Sequence, residues 1–176
     1  VQYICGTDLS LEEIRLRLYT QLISDIQAVR QLDLAALNSS STYDRMDAAD
    51  MVTELSERIT SCFPEGPKVS WILKEVSPEL SSYASPAFYM VPPTDDLTEN
   101  TIYLNPQNEL SGFSLYTTLA HEGFPGHLYQ NTYYYSRRPP LIRRLLSFGG
   151  YTEGWATYTE SLICVFSGKT WDGAKI

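Results

Sequence analysis

Two histidines occur among the 176 residues, and both lie in one stretch, Ala120-His121-Glu122-Gly123-Phe124-Pro125-Gly126-His127. A glutamate directly follows the first of them. Paired imidazoles beside a glutamate are how many zinc hydrolases offer two nitrogen ligands and a general base to one ion. In the His-Glu-x-x-His arrangement the two rings sit four residues apart, about 40° from each other around a helix. Here they are six apart, which comes to about 240° on an unbroken helix, so the rings would face different sides. A shared metal therefore requires a break. Pro125 lacks an N–H and its ring clashes with the carbonyl of His121, and Phe124 before it is pushed away from helical angles. Gly126 can adopt the dihedral that returns the chain. The residues thus predict a Pro125-Gly126 hinge that brings His127 back beside His121, with zinc as the expected cofactor. Glu122 is placed to take a proton from the attacking water.

A third ligand must come from elsewhere. The stretch Tyr151-Thr152-Glu153-Gly154-Trp155-Ala156-Thr157-Tyr158-Thr159-Glu160 offers two carboxylates. Seven residues apart, Glu153 and Glu160 share a helix face to within about 20°. Glu153 is the favoured ligand, on a helix expected to start close by with Thr152 as N-cap, where a carboxylate is also favoured electrostatically. Glu160 is either the alternative ligand or a hydrogen-bond partner of a ligand histidine. Among the many tyrosines of this half, Tyr151 and Tyr158 are candidates to donate to a developing oxyanion. Arg137, Arg138, Arg143 and Arg144 could hold a substrate carboxylate, with Arg143 and Arg144 the nominated pair. A solvated basic face is the simpler account of at least two of the four.

The elements that must position these groups follow from periodicity. Ser10 and Glu13 form a capping box ahead of a helix whose stripe is Leu11, Ile14, Leu18, Leu22, Ile26 and Val29. A serine-rich loop, Asn38-Ser39-Ser40-Ser41-Thr42, leads to a second helix over 43–62 with stripe Ala48, Met51, Leu55, Ile59 and Cys62. Phe63-Pro64-Glu65-Gly66-Pro67 stops it. Short β-prone runs follow at 69–73, 88–91 and 101–104, the last two expected to pair antiparallel, with one strand as a candidate cleft edge. A helix from about Ser111 runs into the motif, burying Phe113, Tyr116, Leu119 and Ala120. Another starts near His127 and ends at Arg137-Arg138-Pro139-Pro140. A short helical piece covers 141–146, Phe148-Gly149-Gly150 is a loop, and a last helix covers about 153–166. The expected fold class is α+β, mostly helical with a small antiparallel sheet, in one domain. Residues 1–66 would be scaffold helices, 67–110 the sheet and loops, and 111–176 the motif-bearing helices.

A net charge of −8 argues against nucleic acid or an anionic membrane as partner and is most simply a matter of solubility. Cys5, Cys62 and Cys164 are scattered, neither a zinc knuckle nor a disulfide framework, although one pair could bridge. No run is long enough to span a bilayer, and Asp8, Glu12 and Glu13 interrupt any signal-like start. The start at Val1 and the end at Ala174-Lys175-Ile176 suggest a piece of a longer protein.

His121-Glu122-Gly123-Phe124-Pro125-Gly126-His127-Leu128-Tyr129-Gln130, followed by the Glu153-Gly154-Trp155-Ala156-x-Tyr158-x-Glu160 stretch, resembles the bacterial DUF885 family. Phe88-Tyr89 to Pro93 and Ile102-Tyr103-Leu104-Asn105-Pro106 resemble it too. That resemblance implies a gluzincin-like metallopeptidase core, with His121, His127 and Glu153 as zinc ligands and Glu122 as base. Many members carry a second histidine after the Pro-Gly-His, where this chain has Leu128. It also implies a longer parent, often secreted or membrane-anchored. The expected function is a zinc-dependent peptidase acting on a peptide or small amide. A related hydrolase of other amides or esters, and a binding or structural module without activity, are the alternatives.

Overall fold

The computed structural model describes residues 6–31, 42–93 and 95–166. Cys5, the serine-rich run at 38–41 and the side chains of Val29 and Cys164 lie outside the described residues. Cys62 is exposed and carries no disulfide.

Helix α1 (Leu11–Val29) starts as its sequence predicts. Ser10 Oγ accepts from the Glu13 N–H at 3.3 Å, and Glu13 Oε2 accepts from the Ser10 N–H at 2.8 Å. Its apolar stripe is not buried, however. Leu11 and Leu18 remain about two-thirds exposed, and Leu22 and Ile26 are exposed as well. The predicted helix over 43–62 is divided. Thr42–Arg45 is a 3-10 turn, and α2 (Ala48–Arg58) begins only after Asp47, whose side chain accepts from the Asp50 N–H at 2.8 Å. An aspartate at that position satisfies an otherwise orphaned donor and so starts a new helix. A second 3-10 turn, Ile59–Ser61, closes it. Met51, Leu55 and Ile59 are buried as the stripe requires, whereas Cys62 is exposed.

The sheet has three strands in the order β1 (Ser70–Glu75), β3 (Glu99–Leu104), β2 (Ala87–Met90). A short helix α3 (Pro78–Ser81) lies between the first two in sequence. β2 and β3 form the expected antiparallel pair, with Ala87 opposite Leu104 and Tyr89 opposite Ile102. β1 lies on the far side of β3 and runs parallel to it, Ser70 opposite Glu99 and Glu75 opposite Leu104. The sheet is therefore mixed, and the expectation of a purely antiparallel sheet is corrected. Local pairing signals gave the hairpin, but the chain between β1 and β3 is long enough for a crossover. β2 is left as an edge.

Four helices complete the fold: α4 (Gly112–Glu122), α5 (His127–Ser136), α6 (Leu141–Leu145) and α7 (Gly149–Phe166). α4 runs through the centre, with Tyr116, Leu119 and Ala120 fully buried against Met51 and Leu55 of α2, Ile102 of β3, Leu128 of α5 and Ile163 of α7. Phe113, expected on that buried side, is only partly covered and packs against the Tyr43 ring. The Tyr116 phenol donates to Glu54, which also pairs with Arg58 one turn along α2. α7 takes in Gly149 and Gly150, whose residue type predicts a loop. Among the described residues no helix is long and apolar enough to cross a membrane. The protein is α+β and mostly helical.

Candidate metal centre

α4 ends at Glu122, and the break begins one residue later. The Gly123 N–H donates to the Leu119 carbonyl at 2.8 Å and the Gly126 N–H to the Ala120 carbonyl at 2.9 Å, folding the turn back on the helix end. The Tyr129 N–H then donates to the Gly123 carbonyl at 3.2 Å. Gly126 has a negative φ of −74°, so it is not needed for a left-handed conformation. It is needed for space: a Cβ there would lie 1.8 Å from the His121 carbonyl oxygen. Gly123 is similarly close, at 2.8 Å from the Leu119 oxygen. The hinge thus spans Gly123 to Gly126 rather than Pro125-Gly126 alone. The Phe124-Pro125 bond within it is cis. Trp155 of α7 holds the turn from outside, its Nε1–H donating to the Pro125 carbonyl at 2.8 Å.

This fold-back brings the two imidazoles together, their centroids 4.8 Å apart and their planes almost perpendicular. Glu153 reaches the same point from α7. Its Oε2 lies 3.7 Å from His121 Nε2 and 3.5 Å from His127 Nε2. One donor atom from each of the three falls within 4.8 Å of the others. Because α7 starts at Gly149, Glu153 stands a full turn inside it and Thr152 is not its N-cap. Helix-end electrostatics therefore do not account for Glu153, since that benefit is confined to the first turn.

Glu160 does not join the three. Its Oε1 lies 2.6 Å from His121 Nδ1, which leaves Nε2 directed at the cluster. Glu122 sits beside it, Oε1 4.0 Å from His121 Nε2, while Oε2 accepts from the Tyr89 backbone N–H at 2.8 Å. That donor belongs to the open edge of β2. Burial pushes the Glu122 carboxyl above its ordinary range, against the Tyr89 N–H that favours the charged form. His127 is held below its ordinary value by burial and then by His121 beside it. That direction favours the neutral ring, the form that can ligate a metal.

The cluster opens into a cleft of about 1760 Å³ between β2, α5, α6 and α7. Tyr151, Arg143 and Arg144 line it. Tyr158 does not: its ring packs against Trp155 at 6.3 Å, away from the lining. Arg144 is already engaged, its Nε donating to the Pro139 carbonyl at 3.1 Å and its guanidinium 5.9 Å over the Tyr135 ring. Several residues that the sequence did not single out serve the site. The Tyr89 phenol donates to Asn100 Oδ1 at 2.6 Å and accepts from Asn131 Nδ2 at 3.2 Å. Asn100 in turn donates to the Ser70 and Leu97 carbonyls, 3.1 Å in each case. This buried chain ties the strand that holds Glu122 to the helix that carries His127. A backbone donor leaves no signal in residue type, so the hold of Tyr89 on Glu122 is not legible in the sequence, although Phe88-Tyr89 belongs to the stretch that carries the resemblance.

Against known proteins, the family profile described as "Bacterial protein of unknown function (DUF885)" matches residues 21–164. The crystal structure of the "putative lipoprotein from Colwellia psychrerythraea" is similar at a TM-score of 0.62 and 26% identity over 72% of this chain. This chain covers 22% of that one, about a fifth of its length. No curated protein matches the sequence.

Proposed function

The chain belongs to the DUF885 family, and from its site we propose that it is a zinc-dependent hydrolase of the gluzincin type, cleaving peptide or amide bonds. The observation that carries this reading is the convergence of His121 Nε2, His127 Nε2 and Glu153 Oε2, the carboxylate 3.7 and 3.5 Å from the two nitrogens. Donors about 2.0–2.1 Å from a tetrahedral zinc stand roughly 3.4 Å from one another. The carboxylate is already close to that from both nitrogens, and the set as a whole, within 4.8 Å, would have to close in around the ion. Two imidazole nitrogens and one carboxylate also suit a catalytic zinc, which keeps its fourth position open. When bound, zinc would polarise the substrate carbonyl and bring water within reach of ionisation near pH 7.

The protein's own groups supply the rest. Glu160 fixes the His121 ring so that Nε2 rather than Nδ1 faces the centre. Glu122, steadied by the Tyr89 N–H, removes a proton from the attacking water and delivers it to the leaving nitrogen as the C–N bond breaks. The open edge of β2 beside Glu122 offers backbone groups to an extended substrate. Tyr151, on the cleft wall, is better placed than Tyr158 to reach a developing oxyanion.

Elemental analysis of the wild type and of His127→Ala is the first test. Near-stoichiometric zinc in the wild type and little in the variant is the expected result. Glu122→Gln should keep the zinc and lose hydrolysis of a peptide library by a factor of at least about 100. A wild type that takes up no zinc when supplied with it, or a Glu122→Gln protein that keeps full activity, would sink this reading. Running the library with peptides, other amides and esters separates a peptidase from a related hydrolase.

A further inference from the structure

Charge is distributed unevenly along this chain. The whole carries −8, yet between Glu122 and Glu153 there are four arginines and no aspartate or glutamate. That segment forms one wall of the cleft. Its arginines are not equivalent. Arg137 lies 4.5 Å over the Tyr133 ring and donates to its phenol, and Arg144 is tied to the Pro139 carbonyl. Arg138 is outside the cleft lining. Arg143 lines the cleft, and among the described residues no carboxylate pairs with its guanidinium.

The same wall is apolar around that charge. Ile142, Leu145, Leu146 and Phe148 all line the cleft and are 50–72% exposed. Large apolar side chains left exposed together along a cleft wall mark a binding surface. Its charge complement is an anion attached to an apolar group.

Resting on the hydrolase reading above, we propose that the cleft takes the C-terminal end of a peptide, its free carboxylate on Arg143 and its apolar last side chain against Leu145, Leu146 and Phe148. A bidentate guanidinium–carboxylate pair fixes the end of the chain. The apolar wall then selects what the last residue carries. The specificity predicted is that of a carboxypeptidase.

Binding can be measured without turnover by calorimetry on the Glu122→Gln protein, with and without added zinc. The probes are acetyl-Ala-Ala-Leu as free acid, the same peptide as C-terminal amide, and acetyl-Ala-Ala-Ser as free acid. The leucine acid should bind roughly tenfold more tightly than its amide, as expected for one charge-assisted pair, and several-fold more tightly than the serine acid. Arg143→Gln should bring acid and amide to the same affinity, whereas Arg138→Gln should leave the preference intact. Leu145→Ser should weaken both leucine peptides and leave the serine acid unchanged. Equal binding of acid and amide, no binding of either, or an acid preference that survives Arg143→Gln would overturn the proposal. The two readings fail separately. Zinc uptake without an acid preference removes the subsite alone, and an Arg143-dependent preference without zinc uptake removes the hydrolase and leaves the subsite.

Discussion

Glu160 Oε1 stands 2.6 Å from His121 Nδ1, joining α7 to α4 across the candidate centre. A carboxylate at that nitrogen selects the tautomer and orientation in which Nε2 is free to ligate. Glu160→Ala is expected to lower zinc affinity by about 10- to 100-fold, and Glu160→Gln, which keeps an acceptor, by less. Competition against a chelator of known affinity reads the difference. Unchanged affinity in the alanine variant would mean that His121 needs no such partner.

The turn that reunites the histidines depends on space. Gly126→Ala places a Cβ 1.8 Å from the His121 carbonyl oxygen, and a backbone atom cannot give way cheaply. We expect a loss of more than about 3 kcal/mol in chemical unfolding, together with loss of zinc uptake. Gly154, with nothing within 4 Å of its Cβ position, provides the contrast. Gly154→Ala lies inside α7 and should stabilise by about 0.5–1 kcal/mol. Similar effects of the two substitutions would contradict the geometry of the turn.

Trp155 should matter through one hydrogen bond. Trp155→Phe keeps most of the ring packing against Phe63 but leaves the Pro125 carbonyl without its donor. A cost of about 1–3 kcal/mol is expected, the range for a part-buried acceptor that loses its partner. Thermal unfolding measures it, and a neutral substitution would show that the turn is fixed from within.

Tyr89 gives a pH dependence. Burial pushes its phenol up to about 12 from an ordinary value near 10. A folded-state value above the unfolded one means that the associated stability is complete below about pH 10 and is lost as pH rises towards 12. Urea midpoints between pH 9 and 12 should therefore fall more steeply for the wild type than for Tyr89→Phe. The variant should also start lower, since Asn100 and Asn131 lose their shared partner. Parallel pH profiles would show that this phenol does not resist ionisation.

Much of the candidate site was legible from residue types. The identity of His121, Glu122 and His127, the candidacy of Glu153 and Glu160, and the need for a broken helix all follow from spacing and from what proline does to a helix. The start of α1 and the β2–β3 hairpin were legible for the same reason, because caps and alternation are local. Other features were not. The α7 boundary was misplaced because two glycines read as a loop, whereas in the fold they form the first turn of a helix packed against α4. The exposed stripe of α1 shows that amphipathicity reports a face to be covered without saying what covers it.

What the sequence by itself determined, then, is the set of groups able to hold a metal and the local breaks and caps around them, since these depend on neighbours within a few residues. The tertiary structure alone decided which carboxylate meets both imidazoles and which one meets His121 from behind. It also decided that a backbone N–H of an edge strand steadies Glu122, and that β1 joins the sheet in parallel. Glu153 and Glu160 share one helix face, so no periodicity could rank them. The distances of α7 from α4 and α5 rank them, and those distances come from the packing of Ile163, Tyr116, Leu119 and Leu128 in the core.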